Sequence, residues 1–210
     1  MLILENIATS LKGGKVKDVV RLVQEALDEG IAAQEILDNG LLKGMGELGV
    51  KFKNNEVYVP EVLVAAKALN NGTAVLKAKL LEEGAEPIGK IIIATVRGDL
   101  HDIGKNLVKM MLEAGGFEVR DLGIDIHEDA IVEAVKADKP DILCLSALLT
   151  TTMDQLKVVI DALKAAGVRD SVKVMVGGAP ISQDYADIVG ADAYSPDAAS
   201  AAEAAKLFIA

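Results

Sequence analysis

The residues best suited to chemistry gather in one polar stretch, Gly98-Asp99-Leu100-His101-Asp102-Ile103-Gly104-Lys105-Asn106, directly after the apolar run Ile91–Val96. An imidazole can ligate a borderline transition metal through one ring nitrogen while the other donates to a carboxylate that fixes its orientation. Asp99 lies two residues before His101, and in an irregular loop such side chains can converge. The same residues also describe a solvated turn or a helix cap, and the loop alone does not separate these readings. His127, the second of the two histidines, reads as an exposed residue at a helix entry. Cys144 is the single cysteine and reads as a small core hydrophobe. One thiol excludes an internal disulfide and an iron–sulfur cluster held by this chain alone.

The elements that must position these residues follow from periodicity. The 210 residues are 51% hydrophobic but only 3% aromatic, so the core is built from Ala, Val, Leu and Ile, which suits packed helices and parallel strands. Val16, Val19, Val20, Leu22, Val23, Ala26 and Leu27 recur at helical spacing, with Gly30 as a stop. Ala32–Phe52 repeats the pattern, with Asn39-Gly40 expected to separate two shorter helices, and Pro60 opens a helix to about Leu81. Residues 1–84 therefore read as a four-helix-type bundle. Glu82–Gly89 is polar and interrupted by Pro87, and is expected to be a domain boundary and hinge. Beyond it the period changes. Short β-branched runs at 90–96, 117–122, 141–147, 172–176 and 191–194 alternate with helical segments near 103–115, 128–138, 152–166, 181–188 and 197–208. Such β–α alternation predicts an α/β domain over 89–210 built on a doubly wound five-stranded parallel sheet.

In open sheets of this kind ligands bind outside the carboxyl ends of the strands, where strand order reverses. The loops after the first, third and fourth strands are then the place for chemistry, and they carry His101, Ser146 to Thr152, and Gly177-Gly178. Gly104 can simply open a helix or can give clearance to something bulky, and Gly177-Gly178 poses the same choice. Ser146 and Thr150 to Thr152 can cap the next helix or hydrogen-bond a polar ligand edge. A net charge of −10 argues against nucleic acid as a partner. The chain has no basic-then-apolar leader and no run of about 18 apolar residues, so a cytoplasmic protein off the membrane is expected.

The order Asp99-x-His101-x-x-Gly104, 41 residues, Ser146-x-Leu148, 28 residues, Gly177-Gly178 resembles the signature of base-off, histidine-on cobalamin-binding domains. The bundle, with Met45-Gly46-Glu47 and Tyr58-Val59-Pro60-Glu61, resembles the cap domain of cobalamin-dependent methionine synthase and of small corrinoid proteins in methyltransferase systems. The resemblance spans essentially the whole chain and implies a flavodoxin-like sheet of order 2-1-3-4-5 after residue 89 in sequence. It implies cobalamin or a related corrinoid as cofactor, with His101 as lower axial ligand of cobalt, Asp99 on the far ring nitrogen and Ser146 extending that relay. The displaced nucleotide tail would run past Gly104, Ser146, Leu148 and Gly177-Gly178, with Asp102, Ile103 and Thr150 in the same binding loops. Met45, Tyr58, Val59 and Val62 would shield the upper face of cobalt.

The function so implied is that of a methyl carrier. Co(I) would accept a methyl group from a substrate-specific methyltransferase, and methyl-Co(III) would pass it to a second one, whose acceptor is a molecule such as tetrahydrofolate or a thiol. A reductive activation protein would be a further partner. The chain would be the corrinoid subunit of such a complex rather than a complete enzyme. The alternative, the cobalamin-binding subunit of an adenosylcobalamin-dependent mutase, resembles only the second half. A phospho-receiver would need an aspartate where Ser146 stands, and a nucleotide-binding loop would need four residues between Gly98 and Gly104 instead of five.

Overall fold

Amphipathic spacing builds the first part of the chain. In a computed structural model, which describes residues 2–84 and 86–209, the helices are α1 (Leu2–Lys12), α2 (Val16–Asp28), α3 (Ala33–Ile36), α4 (Lys43–Lys53) and α5 (Val59–Glu82). Met1 and Ala210, at the ends of the two expected domains, and Ala85, within the expected hinge, lie outside the described residues. The chain divides into two compact units, Met1–Glu86 with Ala114–Gly116, and Pro87–Glu113 with Phe117–Ala210.

In the helical unit, Val19, Leu22, Val23 and Ala26 of α2 form one apolar stripe that is buried with Ile7 and Leu11 of α1 and with Val62, Ala65 and Leu69 of α5. The expected break at Asn39-Gly40 does not occur. Leu37–Leu42 instead forms a π-helical stretch that joins α3 to α4 without interruption. A π turn keeps the backbone hydrogen-bonded while accommodating an extra residue, which a loop would not. Glycine is needed here for packing against α1. A Cβ on Gly40 would sit 3.2 Å from the Ile7 side chain, and one on Gly44 would sit 2.9 Å from the Ala8 backbone.

The second unit is a parallel sheet of five strands, β1 (Lys90–Thr95), β2 (Glu118–Asp121), β3 (Ile142–Ser146), β4 (Lys173–Gly177) and β5 (Ala193–Tyr194), in the order β2-β1-β3-β4-β5. Its helices are α6 (Ile103–Ala114), α7 (Glu128–Asp138), α8 (Asp154–Ala165), α9 (Gln183–Val189) and α10 (Ala198–Ile209). Ile91, Ile92, Ile93 and Ala94 are all buried, as expected of a central strand covered on both faces. The edge strands β2 and β5 are shorter than their apolar runs, because each has a neighbour on one side only. The register aligns Thr95 with Ser146 and Ser146 with Gly177, so the three polar loops leave the sheet in one row. Between β1 and β3 the chain reverses its direction of travel across the sheet, which makes this the topological switch point.

The glycine contacts in the helical unit give a paired test. Gly44→Ala should lower the urea stability of the helical signal by about 1–3 kcal/mol through overpacking against backbone. Gly46→Ala, which meets nothing within 4 Å, should leave it unchanged or raise it by about 0.5–1 kcal/mol.

Candidate functional site

The site is built on a buried carboxylate. Asp99 follows Gly98, whose φ of +78° turns the chain sharply out of β1, and Asp99 has no accessible surface. Its Oδ1 accepts from the His101 backbone N–H at 3.0 Å and pairs with His101 Nδ1 at 2.8 Å. Its Oδ2 accepts from the Leu148 N–H at 2.7 Å and from the Thr152 hydroxyl at 2.7 Å. Burial alone would push this carboxyl up. The hydrogen bonds from Leu148, Thr152 and His101 outweigh it and hold Asp99 well below the usual carboxylate range.

The protonation pattern follows from these contacts. An ionised carboxylate only accepts, so His101 Nδ1 must carry a proton directed at Asp99. In the neutral ring the lone pair is then on Nε2, and Nε2 has no hydrogen-bond partner among the described residues. The loop is tied down independently of the ring. The buried Thr95 hydroxyl donates to the His101 carbonyl at 2.9 Å, the Asp125 N–H donates to the Asp99 carbonyl at 3.0 Å, and Asp125 Oδ1 accepts from the Gly98 N–H at 2.6 Å.

Around the imidazole the chain leaves apolar side chains in the open. Leu100 is 66% exposed and Ile103 78%, and Leu148, Leu149 and Ile124 are each exposed as well. One free imidazole nitrogen offers too few donors for a bare transition-metal ion, and the described residues contain no group of three or more His, Cys, Asp or Glu side chains that could hold one. A single axial donor amid apolar side chains fits a metal that arrives already held in a flat macrocycle. Gly104 leaves room for such a body, since a Cβ there would meet nothing within 4 Å.

Several expected residues occupy other roles. Thr152, not Ser146, reaches the second oxygen of Asp99. Ser146 ends β3 in the row of Thr95 and Gly177, whereas the turn at Leu149 to Met153 carries Thr152 back over Asp99. In sequence Thr152 was indistinguishable from Thr150 and Thr151, because only that turn selects it. The close approach expected at Gly178 is made by the chain itself, since a Cβ there would lie 1.9 Å from the Ala147 carbonyl oxygen, at a φ of +133°. Met45 and Val62 are fully buried in the helical unit and offer no surface for shielding, because the helical period of α4 and α5 turns them to the core. Tyr58 is exposed and Val59 partly so. His127 caps α7, accepting weakly from the Asp129 N–H, and Arg97 lies against its Nε2 at 3.1 Å. Burial pushes the Cys144 thiol up to about 12, which leaves it an inert core side chain.

A family model described as B12 binding domain matches residues 89–208, and a second B12 binding domain model matches residues 3–77. The chain belongs to the B12-binding family of corrinoid proteins. A dimethylamine corrinoid protein from Methanosarcina barkeri is 42% identical over 99% of this chain and 98% of its own length. Trimethylamine corrinoid protein 1 from Methanosarcina acetivorans is 44% identical over 84% of this chain and 83% of its own. Among solved structures, a cobalamin-binding protein from Desulfitobacterium hafniense superposes with a TM-score of 0.83 at 35% identity, covering 99% of this chain and 98% of that one. The methanol:cobalamin methyltransferase complex MtaBC from Methanosarcina barkeri superposes with a TM-score of 0.88 at 32% identity, covering 99% of this chain and 79% of the matched chain. For this B12-binding chain the fold is thus shared along nearly its full length, both helical unit and sheet.

Removal of the Thr152 hydroxyl tests the Asp99 network directly. Thr152→Val, close to isosteric, leaves a buried carboxylate oxygen short of a donor and should cost about 1–3 kcal/mol in denaturant unfolding of the cofactor-free chain. Thr152→Ser should recover most of that loss, and Ser146→Ala should stay within about 0.5 kcal/mol of wild type.

Proposed function

We propose that this B12-binding protein holds a corrinoid in base-off form with His101 Nε2 as the lower ligand of its cobalt. It serves as a methyl carrier between a substrate-specific methyltransferase and a second methyltransferase in the cytoplasm, with a reductive activation protein as a further partner. The observation that carries the reading is the single free imidazole nitrogen of His101, fixed by a buried Asp99 and set among exposed apolar side chains. The names of the relatives, corrinoid proteins for dimethylamine and trimethylamine, and the methanol methyltransferase complex among the matched structures support the partner class.

When bound, the corrinoid supplies a cobalt centre that takes up and gives up a methyl group. The chain's own residues bind, ligate and exclude water. His101 offers the Nε2 electron pair, and Asp99 keeps the proton on Nδ1 and strengthens the donor. Thr152 and the Leu148 N–H keep Asp99 charged and in place. Leu100, Ile103, Leu148 and Leu149 present apolar surface beneath the macrocycle, and Gly104 gives clearance. Asp102 and Thr150 belong to the same loops, and Ser146 and Gly177, paired across β3 and β4, line the path of the nucleotide tail. Residues 1–84 act as the cap, with Tyr58 and Val59 as its candidate shielding side chains, and 82–89 as the hinge to the binding domain at 89–210.

His101→Ala should retain cobalamin while losing the absorption signature of histidine-ligated cobalt, and methyl transfer to a thiol should fall by about 10–100-fold. An unchanged cobalt spectrum in that variant would remove the ligand assignment. Gly104→Leu should weaken cobalamin binding without lowering the stability of the cofactor-free chain, since the space at Gly104 is open.

A further inference from the structure

The buried polar or charged side chains among the described residues are Thr95, Asp99, Lys105 and Thr152. Three of them make the network at His101, and the fourth, Lys105, lies four residues further along in the first turn of α6. A cation there is disfavoured on two counts. The positive end of the helix dipole opposes it, and burial removes its hydration. What holds it is Asp121 at the end of β2, whose Oδ2 receives the Lys105 ammonium at 2.5 Å.

The pair closes a circuit back to the histidine. Asp121 Oδ1 accepts from the Gly123 N–H at 2.9 Å, and the Gly123 carbonyl accepts from the Thr95 N–H at 3.0 Å. Thr95 in turn donates its hydroxyl to the His101 carbonyl. A second path is shorter. Lys105 Nζ donates to Asn106 Oδ1 at 3.0 Å, and Asn106 Nδ2 donates to Asp102 Oδ2 at 3.1 Å, directly beside His101. We propose that Lys105 is a positioning residue for His101: its part-buried ion pair with Asp121 clamps the first turn of α6 to the end of β2 and holds the imidazole in the orientation that ligation requires.

The inference rests on His101 being the ligand, and it gives tasks to Lys105, Asn106 and Asp121 that ligation alone does not. Stability is a poor explanation for the pair. Removing one partner of a buried ion pair is costly, but replacing both with neutral groups of similar volume is often neutral or stabilising. The property that such a double replacement loses is fixed geometry.

The test uses the full-length chain with aquocobalamin as probe, comparing wild type, His101→Ala, and the double variant Lys105→Met with Asp121→Asn, in which an amide oxygen can still accept from Gly123. Each is labelled with 15N-histidine and reduced to the Co(II) form, and its electron paramagnetic resonance spectrum is read for splitting by the labelled imidazole nitrogen, which is distinct from that of the 14N base of the cofactor. Wild type should show the splitting and His101→Ala should not. The double variant should melt within a few degrees of wild type, yet the ratio of histidine-ligated to free cobalt should fall about ten-fold, as when the support of a metal ligand is removed. In the cofactor-free double variant the His101 ring nitrogen resonances should be broadened or doubled, where wild type gives one set. Should the double variant unfold, Lys105→Met alone serves the same comparison, because Asp121 is partly exposed and still faces Lys109 Nζ at 3.9 Å. A variant that ligates as fully as wild type, with sharp ring resonances, overturns the clamp and leaves the ligand assignment intact. Absence of imidazole splitting in wild type overturns the ligand assignment itself.

Discussion

The second unit depends on a carboxylate that has been taken out of water. Asp99 has no accessible surface, and an unpaired charge in that position would cost several kcal/mol. Donors from three places meet that cost. His101 supplies ring and backbone N–H groups from the same loop, Leu148 supplies a backbone N–H from the loop after β3, and Thr152 supplies a hydroxyl from the turn before α8. Because each donor is needed, the charge fixes the relative position of the loops that carry them. The same charge dictates which ring nitrogen of His101 holds its proton. Structural satisfaction of Asp99 and chemical readiness of His101 are therefore one interaction.

The sheet makes that meeting possible. Parallel strands in the order β2-β1-β3-β4-β5 send the β1 and β3 loops out side by side at the reversal point, and the register sets Thr95, Ser146 and Gly177 in one row. Glycines permit the closest approaches. Gly178 lets the β4 loop lie against the Ala147 carbonyl, a contact that any side chain would prevent, while Gly104 leaves space that no part of the chain fills. Two glycines of similar appearance in sequence thus have opposite meanings, one serving the fold and one available to a ligand.

The division of labour in the proposed carrier follows from its donor set. The chain offers one nitrogen and apolar surface, so in that proposal the metal and its other ligands would come with the cofactor. The helical unit has its own packed core. Met45 and Val62 are buried in that core, whereas Tyr58 is exposed and Val59 partly exposed.

Periodicity alone made the architecture legible. The helical stripe of α2, the continuous apolar run of β1 and the alternation of strand and helix led to a helical bundle followed in sequence by a doubly wound α/β sheet. Local pattern could read these because each is set by burial along one element. The π-helical stretch was not legible, since Asn39-Gly40 breaks most helices and only contact with α1 makes continuity worthwhile. At the site, spacing singled out Asp99, His101 and Gly104. Tertiary structure alone chose Thr152 over Ser146 as the partner of Asp99, buried Lys105 against Asp121, and left Nε2 of His101 without a partner. These are matters of which atoms meet across 16 to 53 residues of chain, and the energy of a buried charge depends on such distant donors rather than on its neighbours in sequence.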